Sequence, residues 1–200
     1  MPPGKILGVE ISHDIGASGD DCLNLNILTP HSSTPMPPTS LPVMVWIHGG
    51  SNVMCSNKGD FGGFSNTASS TFVSRGVVCV SINYRVALHG FLHLPDHNIT
   101  NLALRDIILS LTWVRDNISS FNGDPNNVTV VGESAGGIAI SNLLGCPKAK
   151  GLFRRAVVQS GGISMWPRKL YEGPVMDDIK DAVRPFMVAN GFAEAADEWR

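Results

Sequence analysis

Charge is scarce in this chain: Asp, Glu, Lys and Arg make up 16% of its 200 residues, and the net charge is −2. With no cluster of lysines or arginines, there is no electrostatic footprint for nucleic acid or for an anionic bilayer. Long apolar runs are also missing. Stretches such as Val77 to Ile82 fall well short of the roughly 20 residues a membrane-spanning helix needs, so no transmembrane segment is expected. Met1-Pro-Pro-Gly-Lys-Ile6 opens no apolar segment of signal-peptide length and is not read as a secretory leader. The only cysteines are Cys22, Cys55, Cys79 and Cys146, with neither a C-x-x-C pair nor metal-ligand spacing, so no cysteine metal site is expected. Cys79 lies in an apolar run and reads as a reduced core thiol. Sequons at Asn98, Asn117 and Asn127 read as coincidental, the last because it begins an apolar strand. Apolar residues are plentiful at 43%, which excludes disorder. The length suffices for one domain with a proper core, or for part of a larger one.

Short apolar segments alternate with helical ones. Cys22 to Leu28 alternates apolar and polar residues, as a half-buried strand does. The stretch from His31 to Leu41 is rich in Pro, Ser and Thr and reads as a loop. Pro42 to His48 is almost wholly apolar and ends at Gly49-Gly50, the signature of a central strand covered on both faces. A glycine-rich irregular stretch, Ser51 to Ser65, follows, then a short helix from Asn66 to Arg75 stopped by Gly76, then a buried strand from Val77 to Ile82. In the segment Leu102 to Ile118, the positions Leu104, Ile107, Ile108, Leu111, Val114 and Ile118 share one helical face. Phe121 to Pro125 reads as a turn, Val128 to Val131 and Arg155 to Gln159 as buried strands, and residues 172 to 190 as helical. Such alternation predicts an α/β fold whose mostly parallel sheet is joined by right-handed crossover helices.

One motif points to chemistry. The strand ending at Val131 runs straight into Gly132-Glu133-Ser134-Ala135-Gly136, and an apolar helical stretch follows to Leu144. A serine hydroxyl is a weak nucleophile, and a G-x-S-x-G elbow holds it exposed on a sharp, strained bend. Acyl transfer also needs donors for the developing oxyanion. Trp46-Ile-His-Gly-Gly-Ser51 ends a strand with the kind of glycine-rich loop that offers backbone N–H groups, and the N–H of Ala135 would add another. Taken alone, each element could be an ordinary strand-ending turn.

Together these stretches closely resemble the type-B carboxylesterase and cholinesterase family of α/β-hydrolases. The resemblance rests on Asp20 to Ile27, Pro42 to Gly50, Val80 to Phe91, Leu104-Arg-Asp106, Trp113 to Ile118, Phe121 to Pro125, the Ser134 elbow and Phe153 to Gly161. It is collinear over about residues 18 to 165. It implies a hydrolase acting on small carboxylic esters without metal or organic cofactor, with Ser134 as the nucleophile that becomes acylated. Within the triplet Gly49-Gly50-Ser51, it implies Gly50 and Ser51 as oxyanion donors beside Ala135. Ser51 stands where the family has glycine, and if that position needs positive φ the serine adds strain of order 1 kcal/mol. Ala103 and Ile107 replace the family's glycine and glutamine and read as packing variants. Arg85 reads as a paired structural charge.

The fold orders its triad as Ser, then Asp or Glu, then His. His13, His31, His48, His89, His93 and His97 all precede Ser134. Glu172, Asp177, Asp178 and Asp181 read as solvated helix charges. His48 reads as scaffolding for the glycine loop, not as a substitute base. By the resemblance, residues 1–200 form an amino-terminal part of a type-B carboxylesterase domain, lacking the acid, the histidine and a disulfide partner for Cys22, and inactive when isolated. The strand at Arg155 to Gln159 is expected to lack its neighbour, leaving an apolar edge open. The alternative, a non-catalytic cholinesterase-like interaction module, is disfavoured by the intact Ser134 elbow.

Overall fold

The computed structural model describes residues 4–6, 9–11, 19, 21–30, 40–58, 66–94, 97, 99–162, 184, 185 and 188, with the backbone alone at 4–6, 9–11 and 66–69. The expected helix over 172–190 falls almost wholly outside the described residues, as do most of the loop at 31–41 and the stretch 59–65.

A small antiparallel hairpin pairs β1 (Gly4–Ile6) with β2 (Val9–Ile11). The main sheet has five strands: β3 (Leu25–Leu28), β4 (Leu41–Ile47), β5 (Val78–Ile82), β6 (Gly123–Glu133) and β7 (Arg155–Gln159). Their order is β3-β5-β4-β6-β7. All neighbours run parallel except β3, which is antiparallel to β5. Helix α1 (Asn66–Val73) joins β4 to β5, α2 (Ala87–Phe91) and α3 (Leu102–Asn117) lead to β6, and α4 (Ala135–Leu144) joins β6 to β7.

Burial explains why these segments form strands. Every residue of β5 is buried, as are Val43, Val45, Trp46 and Ile47 of β4, because both faces of the sheet centre are covered. Ile107, Leu111, Val114 and Ile118 from α3 and Ile140 and Leu143 from α4 join the same core. Each such side chain contributes roughly 1.5–3 kcal/mol of transfer free energy. Cys79 lies in β5, and burial pushes its thiol pKa up to about 11, so it stays protonated at neutral pH as a core thiol does. Asp106, nearly buried on α3, accepts from Arg85 Nε and Nη2 at 2.8 Å each and from its backbone N–H at 3.1 Å. That bidentate pair fixes the start of the β5–α2 connection against α3 and bears out Arg85 as a structural charge.

Three elements depart from the sequence expectation. The first strand starts at Leu25, not Cys22, because the carbonyls of Cys22 and Asn24 turn to Asn83. The expected turn at Phe121 to Pro125 is a single 3₁₀ turn, Ile118–Phe121, followed at once by β6, which starts at Gly123 opposite Leu41 before a register shift. Pro125 is tolerated because it lies in that shifted stretch and carries no ladder bond. Strand β7, read as buried, is instead exposed as the outermost strand among the described residues, at the open edge that is also expected. Val157 and Val158 point to opposite faces and are 42% and 39% exposed.

Candidate active site

The strand order sets where a site can form. From β4 the chain crosses to β5 on one side, whereas from β6 it crosses to β7 on the other. The carboxyl ends of β4 and β6 therefore flank a topological switch point, where a crevice opens in such sheets. Ile47 pairs with Gly132, so the residues just past each strand, Gly49-Gly50-Ser51 and Ser134, leave the sheet side by side.

Ser134 follows the last residue of β6 and caps α4 with φ 55° and ψ −120°, a conformation a non-glycine residue adopts only under strain of order 1–3 kcal/mol. The bend is over-determined. Ser134 N–H donates to Gln159 O at 2.9 Å, and its carbonyl accepts from Ile138 N–H at 3.0 Å. Gly136 sits where α4 crosses the end of β4, and a β-carbon there would overlap the Ile47 carbonyl. Gly132 meets Gly136 across the elbow, and Glu133 carries its carboxylate over Gly49. Gly49 is close enough to the elbow that a β-carbon on it would stand 2.7 Å from Glu133 O and 3.2 Å from Ser134 Cβ. Ser134 itself is only half-buried.

The glycine loop is wound in the left-handed region: Gly50 has φ 100°, Ser51 55° and Asn52 61°. Gly50 O accepts from Val53 and Met54 N–H at 3.0 and 3.1 Å, closing the turn. Ser51 thus occupies the positive-φ conformation that its replacement of glycine put in question. The N–H groups of Gly50, Ser51 and Ala135 make no backbone hydrogen bond among the described residues. Donors left open beside a strained serine are what an oxyanion requires. At the far end of the loop, Asn57 is buried and donates through Nδ2 to Asn24 Oδ1 at 2.8 Å, while its N–H donates to Asn83 Oδ1 at 2.8 Å. These bonds pin the loop to β3 and to the end of β5.

His48 is fully buried, and its ring stacks on Tyr84 at 4.3 Å with planes 16° apart. Nδ1 lies 2.9 Å from Gly49 O. A carbonyl can only accept, so Nδ1 carries the proton. In a trans peptide, C=O and the next N–H point in opposite directions, so holding Gly49 O also aims Gly50 N–H. Tyr84 Oη donates to His48 O at 2.7 Å and fixes the preceding peptide in the same way. Neither the Tyr84 contact nor the Asn57 anchor was found from the sequence, because a tyrosine after a buried strand and an asparagine in a polar loop carry no distinguishing pattern. Burial pulls the pKa of His48 below the usual histidine range, outweighing the upward pull of the Gly49 hydrogen bond. The unfolded histidine takes a proton near pH 6.5 that the folded one refuses, so stability holds above that pH and falls below it. We expect the loss to approach about 1.4 kcal/mol per pH unit from this group alone. Urea titrations at about pH 5 and about pH 7 check it. His48→Asn, which keeps a donor but cannot titrate, should flatten that component, and an unchanged pH profile in the variant would contradict this account.

Among the described residues, no group of histidine, cysteine, aspartate or glutamate side chains is placed to hold a metal ion, and no helix is long and apolar enough to cross a membrane.

A mostly parallel sheet with a serine elbow and a glycine turn at its switch point defines part of an α/β-hydrolase fold. A solved PNB esterase structure superposes with a TM-score of 0.67 at 35% identity, covering 93% of this chain and 40% of that one. The profile of the carboxylesterase family matches residues 5–170, and the chain belongs to that family. Among relatives, the para-nitrobenzyl esterase of Bacillus subtilis (strain 168) is 42% identical over 163 residues, 80% of this chain and 31% of the relative. The bile salt-activated lipase of Homo sapiens is 42% identical over 168 residues, 81% of this chain and 22% of the lipase. The chain therefore spans less than a third of the length of these curated relatives.

Proposed function

We propose that this chain carries the nucleophile and oxyanion donors of a serine hydrolase acting on small carboxylic esters, as part of a larger catalytic domain. Ser134 Oγ attacks the ester carbonyl carbon as a base takes its proton. The tetrahedral oxyanion is held by the N–H groups of Gly50, Ser51 and Ala135. Its collapse expels the alcohol and leaves an acyl-enzyme, which water then opens. The observation that carries this reading is the strained backbone of Ser134 at the carboxyl end of β6, with Gly49 packed against it.

The base lies outside these residues. None of the six histidines follows Ser134, as the chain order of this fold requires, and His48 is sealed in the core with Nδ1 committed to Gly49. The 200 residues alone are therefore inactive.

A direct test joins residues 1–165 to the carboxy-terminal portion of the Bacillus subtilis para-nitrobenzyl esterase and treats the product with a fluorophosphonate. Mass spectrometry should find the adduct on Ser134, and Ser134→Ala should abolish it. A folded product that takes no label would favour the non-catalytic interaction module instead.

A further inference from the structure

Straight after β5 come Asn83, Tyr84 and Arg85, and the first and last of them are tied to flanking elements. Asn83 N–H donates to Asn24 O at 2.9 Å and its Nδ2 to Cys22 O at 3.1 Å, on the segment leading into β3. Arg85 is clamped to Asp106 of α3 by its side chain and by its own N–H. Held on both sides, this short segment grips the glycine loop at three points. Tyr84 Oη donates to His48 O at 2.7 Å at the start of the loop. Ala87 N–H donates to Asn52 O at 2.6 Å in the middle, from a left-handed φ of 52° that alanine keeps only where its surroundings hold it. Asn83 Oδ1 accepts from Asn57 N–H at 2.8 Å at the end. In sequence, the open N–H groups of Gly50 and Ser51 lie between the first two of these grips.

Of the three grips, that of Tyr84 bears most directly on the donors. Its hydroxyl holds the peptide between His48 and Gly49, and its ring backs the imidazole whose Nδ1–H holds the next peptide, between Gly49 and Gly50. Gly50 N–H belongs to that second peptide, so one buried side chain sets both planes that precede the donor. Burial pushes the Tyr84 phenol above the usual tyrosine range, so the hydroxyl stays a donor at neutral pH. Phenylalanine would fill the same space; the hydroxyl adds a hold on the backbone next to the donors. We propose that Tyr84 is a positioning residue for catalysis, aiming the Gly50 and Ser51 N–H groups at the oxyanion, with Asn83 steadying the loop from its far end. The assignment rests on Ser134 being the nucleophile and on those N–H groups being its oxyanion donors.

The test uses residues 1–165 joined to the carboxy-terminal portion of the para-nitrobenzyl esterase, and compares p-nitrophenyl acetate with its thiono counterpart, in which sulfur replaces the carbonyl oxygen. Sulfur is a larger and weaker acceptor, so the ratio of the two kcat/KM values measures what the oxyanion donors contribute. Tyr84→Phe keeps the ring and deletes only the hydroxyl. It should lower kcat for the oxygen ester about tenfold with KM unchanged, and shrink the ratio by a similar factor. Asn83→Ala should shrink the ratio in the same sense by about threefold, and it decides the matter if Tyr84→Phe fails to fold. A residue that only supports the fold would slow both esters alike or lower stability alone. An unchanged ratio in the folded variant therefore overturns the proposal. Fluorophosphonate labelling keeps the two readings apart. A joined protein that takes no label on Ser134 sinks the nucleophile and this assignment with it, whereas labelling with an unchanged ratio sinks the role of Tyr84 alone.

Discussion

Gly136→Ala will destabilise the chain by about 3 kcal/mol or more, well above the cost of an ordinary helix substitution. The added β-carbon would overlap the Ile47 carbonyl and stand 2.8 Å from that of His48. Both are backbone atoms at the end of β4, and the Ile47–Gly132 register holds β4 against β6, so neither can swing aside as a side chain would. Relief requires α4 to lift off the sheet, which withdraws Ile140 and Leu143 from the core and disturbs the bend at Ser134. Gly145→Ala is the control. That glycine has φ −92°, and a β-carbon on it would meet nothing closer than Asn142 O at 3.8 Å. Alanine there should be neutral within about 0.5 kcal/mol, or slightly stabilising through the unfolded chain. Urea denaturation followed by circular dichroism measures both. A loss below about 1 kcal/mol for Gly136→Ala would mean that α4 does not seat on β4 as described.

The contrast between the two glycines shows what the sequence displays and what it hides. Both look alike in a string of letters, and only the crossing of α4 over the end of β4 separates a position that cannot take a methyl from one that can. Local pattern was enough to find β4, β5, α3 and the Ser134 elbow. Strands buried on both faces read as nearly unbroken apolar runs, and α3 buries Ile107, Leu111 and Val114 on one face although Leu109 and Trp113 lie exposed. The antiparallel direction of β3 was not legible in local pattern, and the exposed edge at β7 followed only from the resemblance, since Ala156-Val157-Val158 by itself reads as a buried stretch. Similarly, the motif displayed Gly49-Gly50 and Ser134, but not how they are held. His48 and Tyr84 act through peptide planes and Asn57 through bonds to Asn24 and Asn83, contacts 33 and 26 residues apart in sequence for the asparagine. Long-range polar bonds of this kind leave no periodicity behind.

The second large effect concerns catalysis. Purified alone, the chain should hydrolyse p-nitrophenyl acetate little faster than its Ser134→Ala variant does. Joined at residue 165 to the rest of the para-nitrobenzyl esterase, it should gain about 10⁴-fold or more, and Ser134→Ala should then return the rate to the level of the isolated chain. The asymmetry follows from how the parts cooperate. Without a base, the Ser134 hydroxyl keeps its proton, so the strained bend and the open N–H groups have no alkoxide to present and no oxyanion to hold. Deleting the serine from such a chain removes nothing further, because members of a triad act as a unit and their losses do not add. Once a histidine is in reach, the same substitution removes the whole covalent route. Comparable rates for the isolated chain and the joined protein would show that a base already lies within the 200 residues. His48 could not be that base without leaving its stack on Tyr84 and releasing Gly49, so the search would turn to His93, two residues past α2, with His93→Gln as the deciding variant.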